Sequence, residues 1–341
     1  MTDQTCSKPL SGQRQWRIGI LFTIFALCVM IWPGPIKNAL IFSLWGLIQV
    51  APMVVPGIIV AAWIIASGAD TLVRKAFEGR TLATVLTAAA IGAITPVCGV
   101  TVLPLMVGLL AAGVPLAPIM AFWLSSPVTD PAMLATTAAT LGMPFALGKT
   151  IGAFGLGIFG GTTTALFLKK SWYVNALRNN SLSRQLSTKR CSAIASYNPR
   201  IWTDPARRQA FKGQALATLR LILICLIPAF AAEYALNAAI TPGALANYVG
   251  KDQWWAIPAA VFVGAPAYID GYAALPLTRA LIDNGMSAGA AMAFLISGGV
   301  VSIWGAMAIA PVLRLKPFLL YLALAVTGSL AIGYVFEWTF G

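Results

Sequence analysis

The stretch Thr95-Pro96-Val97-Cys98-Gly99, continuing through Leu103-Pro104-Leu105 to Ser125-Ser126-Pro127-Val128-Thr129-Asp130-Pro131, constrains this chain more than any other. It lies within hydrophobic sequence, yet it carries prolines, glycines, a carboxylate, a thiol and clustered hydroxyls. In a bilayer, backbone N–H and C=O groups freed by such breaks survive only against protein or a water-filled cavity. The stretch is therefore expected to line a cavity.

The break occurs twice. A shift of 172 residues lays Leu275-Pro276-Leu277 on Leu103-Pro104-Leu105, Gly264-Ala265 on Gly92-Ala93 and Gly271 on Gly99. It also matches Gly285 to Gly113, Met292-Ala293-Phe294 to Met120-Ala121-Phe122, Ser297 to Ser125 and Val300 to Val128. About a third of roughly 37 ungapped positions are identical, and many of the identities fall on Gly, Pro and Ser. Paired, Gly/Pro-interrupted hydrophobic segments in two halves point to the central site of a transporter.

The rest of the composition agrees. Of 341 residues, 59% are hydrophobic and 10% charged, with a mean hydropathy of +0.81. Soluble domains carry roughly 25% charged residues. The expected fold class is all-α, a polytopic integral membrane protein with two inverted repeats of broken or re-entrant helices. A membrane β-barrel would show short alternating segments in place of long apolar runs.

The net charge of +13 sits almost wholly between the apolar segments, which fits positive-inside bias and not nucleic-acid binding. The five cysteines, Cys6, Cys28, Cys98, Cys191 and Cys225, have no metal-ligand spacing, and there is no histidine. No cofactor, metal site or disulfide framework is expected. The usual general base is also missing.

Four regions follow in order. Residues 1–38 form an N-terminal arm and a first membrane helix from Ile18 to about Trp32, read as retained because no small-residue cleavage site follows. Residues 39–168 form the first membrane half: a span from about Ala39 to Ala66 kinked by Pro52 and Pro56, the broken unit 81–141, and a span at about 144–168. Residues 169–212 form a basic, flexible cytoplasmic linker with ten Lys/Arg against Asp204. Residues 213–341 form the second half, with the broken unit 254–314.

Orientation comes from charge. If each broken unit crosses the membrane an odd number of times, 18 of the 23 Lys/Arg lie in the cytoplasm. The two units then enter from opposite faces, the arrangement used for alternating access.

Asp130 and Asp270 are the acids set deepest in the broken units. An intramembrane carboxylate is costly and by default functional, so they are the candidate ion-coupling groups. The structural alternative is helix capping, or pairing with a cation such as Arg279. Cys98 aligns with Asp270 across the repeat and could bind a soft, thiophilic solute, or fill a small apolar site. Thr95, Pro96 and Gly99 surround it. Ser125, Ser126, Thr129 and Ser297 are placed where half-helices start, suited to a polar ligand or to rescue of broken backbone. Tyr268 and Tyr272 flank Asp270 as gating or packing residues. Gly148, Gly152, Gly157 and Gly161 read as close helix packing, and Trp254, Trp255 and Trp338 as interfacial anchors.

These residues resemble a family. Thr95-Pro96-Val97-Cys98, the run from Gly113 through Ala121-Phe122-Trp123 to Asp130-Pro131, and the echo from Pro276 to Ser297 are similar to the ArsP-type predicted permeases over roughly residues 40–335. The resemblance implies a bacterial inner-membrane permease, and characterised relatives export trivalent organoarsenicals. Two positions depart from the family pattern: Gly99-Val100 replaces the second cysteine after Cys98, and Asp130 replaces the usual Asn.

The expectation is a secondary transporter moving a small-molecule substrate across the bilayer, with arsenical efflux and proton coupling as its finer reading. A passive channel on the same scaffold, or a membrane enzyme using Cys98 or a serine, are the competing readings. No GxxxxGK[ST] phosphate loop is present. A homo-oligomer is compatible with all of these features.

Overall fold

The computed structural model describes residues 33–69, 81–94, 106–107, 109–110, 114–128, 131–167, 173, 176–178, 197–239, 253–264, 271–301, 309–310 and 312–341. These residues are almost entirely helical. Ten α-helices follow in order: α1 (Pro33–Ser67), α2 (Thr81–Ile94), α3 (Leu116–Ser125), α4 (Pro131–Leu141), α5 (Met143–Ala165), α6 (Pro205–Ala239), α7 (Ala256–Gly264), α8 (Gly271–Asp283), α9 (Ala288–Val300) and α10 (Leu315–Phe340). A 3-10 turn, Ser126–Val128, extends α3.

Among the described residues, three helices are long and apolar enough to cross a membrane: α5, α10 and the Pro205–Pro228 part of α6. Helix α1 adds a fourth if its two arms count as one span, bent by 57° between Gln49 and Val54. Pro52 and Pro56 lie at and just beyond that bend, as an interior proline removes a backbone hydrogen bond and clashes with the preceding turn. Helices α2, α3 and α9 are short. At about 1.5 Å per residue, the 14 residues of α2 cover only part of a roughly 30 Å hydrocarbon layer.

The 172-residue spacing recurs far beyond the segment where sequence identity shows it. Helices α1 and α6 each hold 35 residues, and Pro33 and Pro205 open them at the same spacing. Leu116 and Ala288 open α3 and α9 at that spacing, and Met143 and Leu315 open α5 and α10. Packing repeats with it. A Cβ on Gly92 would fall 2.7 Å from Phe122 O, and one on Gly264 would fall 2.9 Å from Phe294 O. Likewise Gly161 meets Val85 and Ala121, while Gly333 meets Ile257 and Ala293. Val114 N donates to Leu109 O and Met286 N to Leu281 O, at 3.0 and 2.9 Å.

Two pairs of matched helices pack on each other. Along α5 and α10, Gly148 meets Phe336, Gly152 meets Ile332, and Gly328 meets Leu156, so one helix descends as the other rises. Gly328 and Leu156 are themselves matched positions. Helices α1 and α6 are antiparallel too: Phe42 packs on Tyr234, Gly46 on Phe230, and Ser67 lies beside Arg207. The main core joins both halves, with Ala89, Met120 and Leu124 from the first and Met292, Ile296 and Tyr321 from the second. A smaller core, with Val54, Ile58, Ile222, Leu226 and Phe230, joins α1 to α6.

The outward faces are apolar as well. Ile151, Phe159, Leu216, Ile224, Phe262 and Val335 are exposed, which fits hydrocarbon in place of water around the helices. Of the tryptophans expected as interfacial anchors, Trp254 and Trp338 are 82% and 89% exposed, the most among the described residues, and Trp255 is 43% exposed.

The segment 169–212 differs from a wholly flexible linker. Its end is helical from Pro205, and Arg207 is only 4% exposed. The Arg207 guanidinium donates to Ser67 O at 2.9 Å and Ala66 O at 3.3 Å, and lies 3.5 Å from Asp204. Carbonyls at a helix C-terminus have no intrahelical partners and carry negative partial charge, which is why a cation settles there. Residues 176 and 178 are tied to the second half as well: Arg178 N donates to Val312 O and Arg314 N to Ala176 O, both at 2.8 Å.

Two stability outcomes follow from this packing. Gly157→Ala, whose Cβ would sit 2.8 Å from Ala121 O, lowers stability by about 1–3 kcal/mol, whereas Gly155→Ala, with open space, does not. Thermal unfolding in detergent distinguishes the two. Arg207→Ala removes a donor from the Ala66 carbonyl, while Ser67 O keeps Asn198 N at 2.9 Å, and lowers stability by about 1 kcal/mol in the same assay.

Candidate functional site

In each half a short helix leads up to the break, α3 in the first and α9 in the second. Pro115 precedes α3, and Ser287 caps α9 by accepting from Ala290 N at 3.2 Å. The second N–H of each helix has an acceptor from elsewhere. Ala117 N donates to the Tyr173 hydroxyl at 3.2 Å, and Gly289 N, its 172-residue match, donates to the Glu337 carboxylate. Burial pushes the Tyr173 phenol up, and the hydrogen bond from Ala117 partly offsets this. The N-terminal ends of α3 and α9 are thus served by the chain itself.

Ser125, Ser126 and Ser297 were expected at the starts of half-helices; the structure corrects this. Ser125 ends α3, Ser126 opens the 3-10 turn, and Ser297 lies in the last turn of α9. The physical reason is that Pro118 falls in the first turn of α3, where proline is tolerated, so the helix forms ahead of the serines. Pro127, lacking an N–H, then ends the regular ladder. Ser125 Oγ donates to Ala121 O and Phe122 O at 2.9 and 3.1 Å, and Ser297 Oγ donates to Phe294 O at 3.2 Å. Both serines are fully buried, each facing the matched glycine of its own half, Gly92 or Gly264. In this structure their hydroxyls serve their own helices.

The two halves meet at the ends of these helices. A Cβ on Gly299 would fall 3.1 Å from Pro127 O, and Pro127 and Gly299 are again matched positions. The Tyr321 hydroxyl donates to Val300 O, closing the end of α9, and the Tyr321 ring stacks on Trp123 at 4.3 Å.

One buried ionisable residue escaped the sequence reading. Lys149, in the second turn of α5, is 1% exposed, and its Nζ lies 3.3 Å from Met133 Sδ on α4. The signal was present, because Lys149 is the only charged residue between Asp130 and Lys169.

Of the other candidates, Thr95, Pro96, Cys98, Gly99, Thr129, Asp130, Tyr268 and Asp270 lie outside the described residues. Tyr272 is described only as part of the α8 backbone. Arg279 is on the exposed face of α8, in an ion pair with Asp283 at 3.1 Å. Such an exposed i,i+4 pair contributes little. Among the described residues no group of three or more His, Cys, Asp or Glu side chains comes together. An apolar groove of about 480 Å³ lies between α5 and α10, lined by Gly148, Gly152, Gly155, Gly328, Ile332 and their neighbours. Its walls suit a hydrocarbon chain better than a polar solute.

Comparison with known proteins places this arrangement. Residues 36–338 match the ArsP_1 family, described as a predicted permease, so the match encloses both halves and the segment between them. The chain is also similar to UPF0718 protein MJ0584 of Methanocaldococcus jannaschii, at 25% identity over 292 residues, covering 73% of this chain and 80% of that protein. No solved structure matches. Together with its long apolar helices, the extent of the family match makes this an integral membrane protein of the transporter type. The chain belongs to the ArsP_1 predicted permease family.

Proposed function

We propose that this protein is a secondary transporter whose two halves are inverted repeats, moving a small solute across a bacterial inner membrane by alternating access. The observation that supports this most is the contact of matched positions: Leu156 with Gly328 and Pro127 with Gly299, between matched helices α5 and α10 that run antiparallel. A position meets its own match only near a two-fold axis. An axis relating antiparallel helices is perpendicular to them, so it lies in the membrane plane when they span it. That is the geometry of inverted-repeat transporters, with the solute near the midplane.

The finer assignments rest on sequence. Cys98, with Thr95, Pro96 and Gly99, forms a thiol-bearing break suited to a trivalent organoarsenical or another thiophilic solute. Ser125, Ser126, Thr129 and Ser297 support that site. Asp270 and Asp130 carry proton coupling, with Tyr268, Tyr272 and Arg279 in gating or support. The basic segment 169–212 faces the cytoplasm by charge bias.

Flux of a trivalent methylarsenical into proteoliposomes, with and without an imposed pH gradient, tests the reading. Wild type is expected to concentrate the compound, Cys98→Ser to abolish this, and Asp270→Asn to uncouple it from pH. Flux that neither saturates nor concentrates, and that survives Asp270→Asn, would instead identify a channel. The inverted arrangement has its own check, made by sided thiol labelling in a cysteine-free background. Cysteines at Met143 and Trp338 should react from one face of the membrane, and those at Leu166 and Leu315 from the other.

A further inference from the structure

Helices α1 and α6 hold matched places in the two halves, and each carries a stripe of residues spaced four apart on its outward side. On α1 the stripe is Ile36, Leu40, Leu44 and Ile48, and the last three are exposed, as on a lipid-facing helix. The residues matched to them on α6 are Arg208, Lys212, Leu216 and Arg220, all exposed. The same place in the fold is therefore apolar in one half and cationic in the other. Packing gives no reason for the cations, because α6 meets α1 through other residues, Ile222, Leu226 and Phe230.

Charge bias accounts for two of the three. Arg208 and Lys212 stand at the end of α6 where a membrane surface is marked by Trp202, which is 64% exposed with its ring edge-on to Phe211 at 5.5 Å. Arg220 is different. It lies two turns beyond Lys212, about 12 Å further along the helix, among the exposed side chains of Leu216, Leu219, Leu223 and Ile224. An orientation signal needs no charge at that depth, and a cation in hydrocarbon is costly. The chain does not neutralise it: among the described residues the Arg208, Lys212 and Arg220 side chains make no ion pair, and the one acid between Tyr197 and Ala232, Asp204, lies beside Arg207 at 3.5 Å.

A guanidinium in such a place lays its stem along the apolar face and reaches for a phosphate, which can accept two parallel hydrogen bonds from it. We propose that the outward face of α6 binds an anionic phospholipid of the adjoining leaflet. Arg208 and Lys212 attract the headgroup, and Arg220 draws its phosphate inward, so that the acyl chains run on past Leu223 and Ile224. The site depends on the membrane placement alone and not on which solute the protein moves.

The test uses full-length wild type, Arg220→Ile, Arg220→Lys and Lys316→Gln in neutral detergent at constant ionic strength. Arg220→Ile copies the residue that α1 carries at the matched position, and Lys316→Gln removes one exposed cation from α10. Phosphatidylglycerol is titrated against thermal unfolding, with phosphatidylcholine as the neutral lipid and glycerol phosphate as the soluble headgroup. Phosphatidylglycerol is expected to raise the wild-type melting temperature in a saturable way, and the other two to leave it unmoved. The half-saturating concentration is expected to rise roughly tenfold in Arg220→Ile, to rise less in Arg220→Lys and to stay unchanged in Lys316→Gln. Because Arg220 is exposed, Arg220→Ile should keep the wild-type melting temperature without lipid, which separates a lost site from a lost fold.

Unchanged phosphatidylglycerol affinity in Arg220→Ile, or equal protection by phosphatidylcholine, overturns the proposal. So does equal weakening in Lys316→Gln, which would mean diffuse charge, or equal protection by glycerol phosphate, which would mean a site for soluble anions. A change in oligomer mass in Arg220→Ile at unchanged lipid affinity would overturn it too, assigning this face to contact between copies of the chain.

Discussion

Every helix break in an apolar environment leaves backbone donors and acceptors that water cannot reach, and satisfying them organises this structure. The Tyr321 hydroxyl closes the end of α9. Tyr173 and Glu337 accept from the first turns of α3 and α9 at matched positions. Ser125 and Ser297 return their hydroxyls to carbonyls one turn back. Arg207 does the same service for the end of α1, although it comes from the segment between the halves. The two serines repeat between the halves, whereas the first turns of α3 and α9 are served by different side chains, Tyr173 and Glu337. The constraint is on the hydrogen bond and not on the residue that makes it.

The second constraint is close approach. Hydrocarbon gives no hydrophobic reward for pressing one apolar helix on another, so packing depends on small residues that let backbones come near. Gly92 and Gly264 admit α3 and α9, Gly157 and Gly161 bring α5 onto α2 and α3, and Gly333 brings α10 onto α7 and α9. Where matched positions touch, at Leu156 with Gly328 and Pro127 with Gly299, one partner is a glycine. The two halves could not both carry a large side chain there. The sequence repeat must therefore fail at such contacts, even where the fold repeats.

That explains which parts were legible. The duplication was visible over 92–128 and 264–300 because the breaks demand Gly, Pro and Ser at fixed places. It was invisible between α1 and α6, which share little beyond Pro33/Pro205 and Pro56/Pro228, because a lipid-facing helix needs only apolarity. The serines were expected at helix starts but lie at the ends of α3 and α9, because Pro118 is tolerated in the first turn of α3 and the helix forms ahead of them. Lys149 was not legible as a buried residue because one cation in an apolar run has no motif around it.

By itself the sequence determined the solvent and the grammar of this protein. Long apolar runs require a bilayer, charge placement orders the loops, and two Gly/Pro-rich interruptions mark where the helices stop. The tertiary structure decided which faces meet. In a membrane, a residue facing lipid and one facing protein can be equally apolar, so hydropathy cannot tell them apart. Only the folded chain shows α5 running antiparallel to α10, buries Lys149 against α4, and draws Arg207 out of a polar segment to close α1.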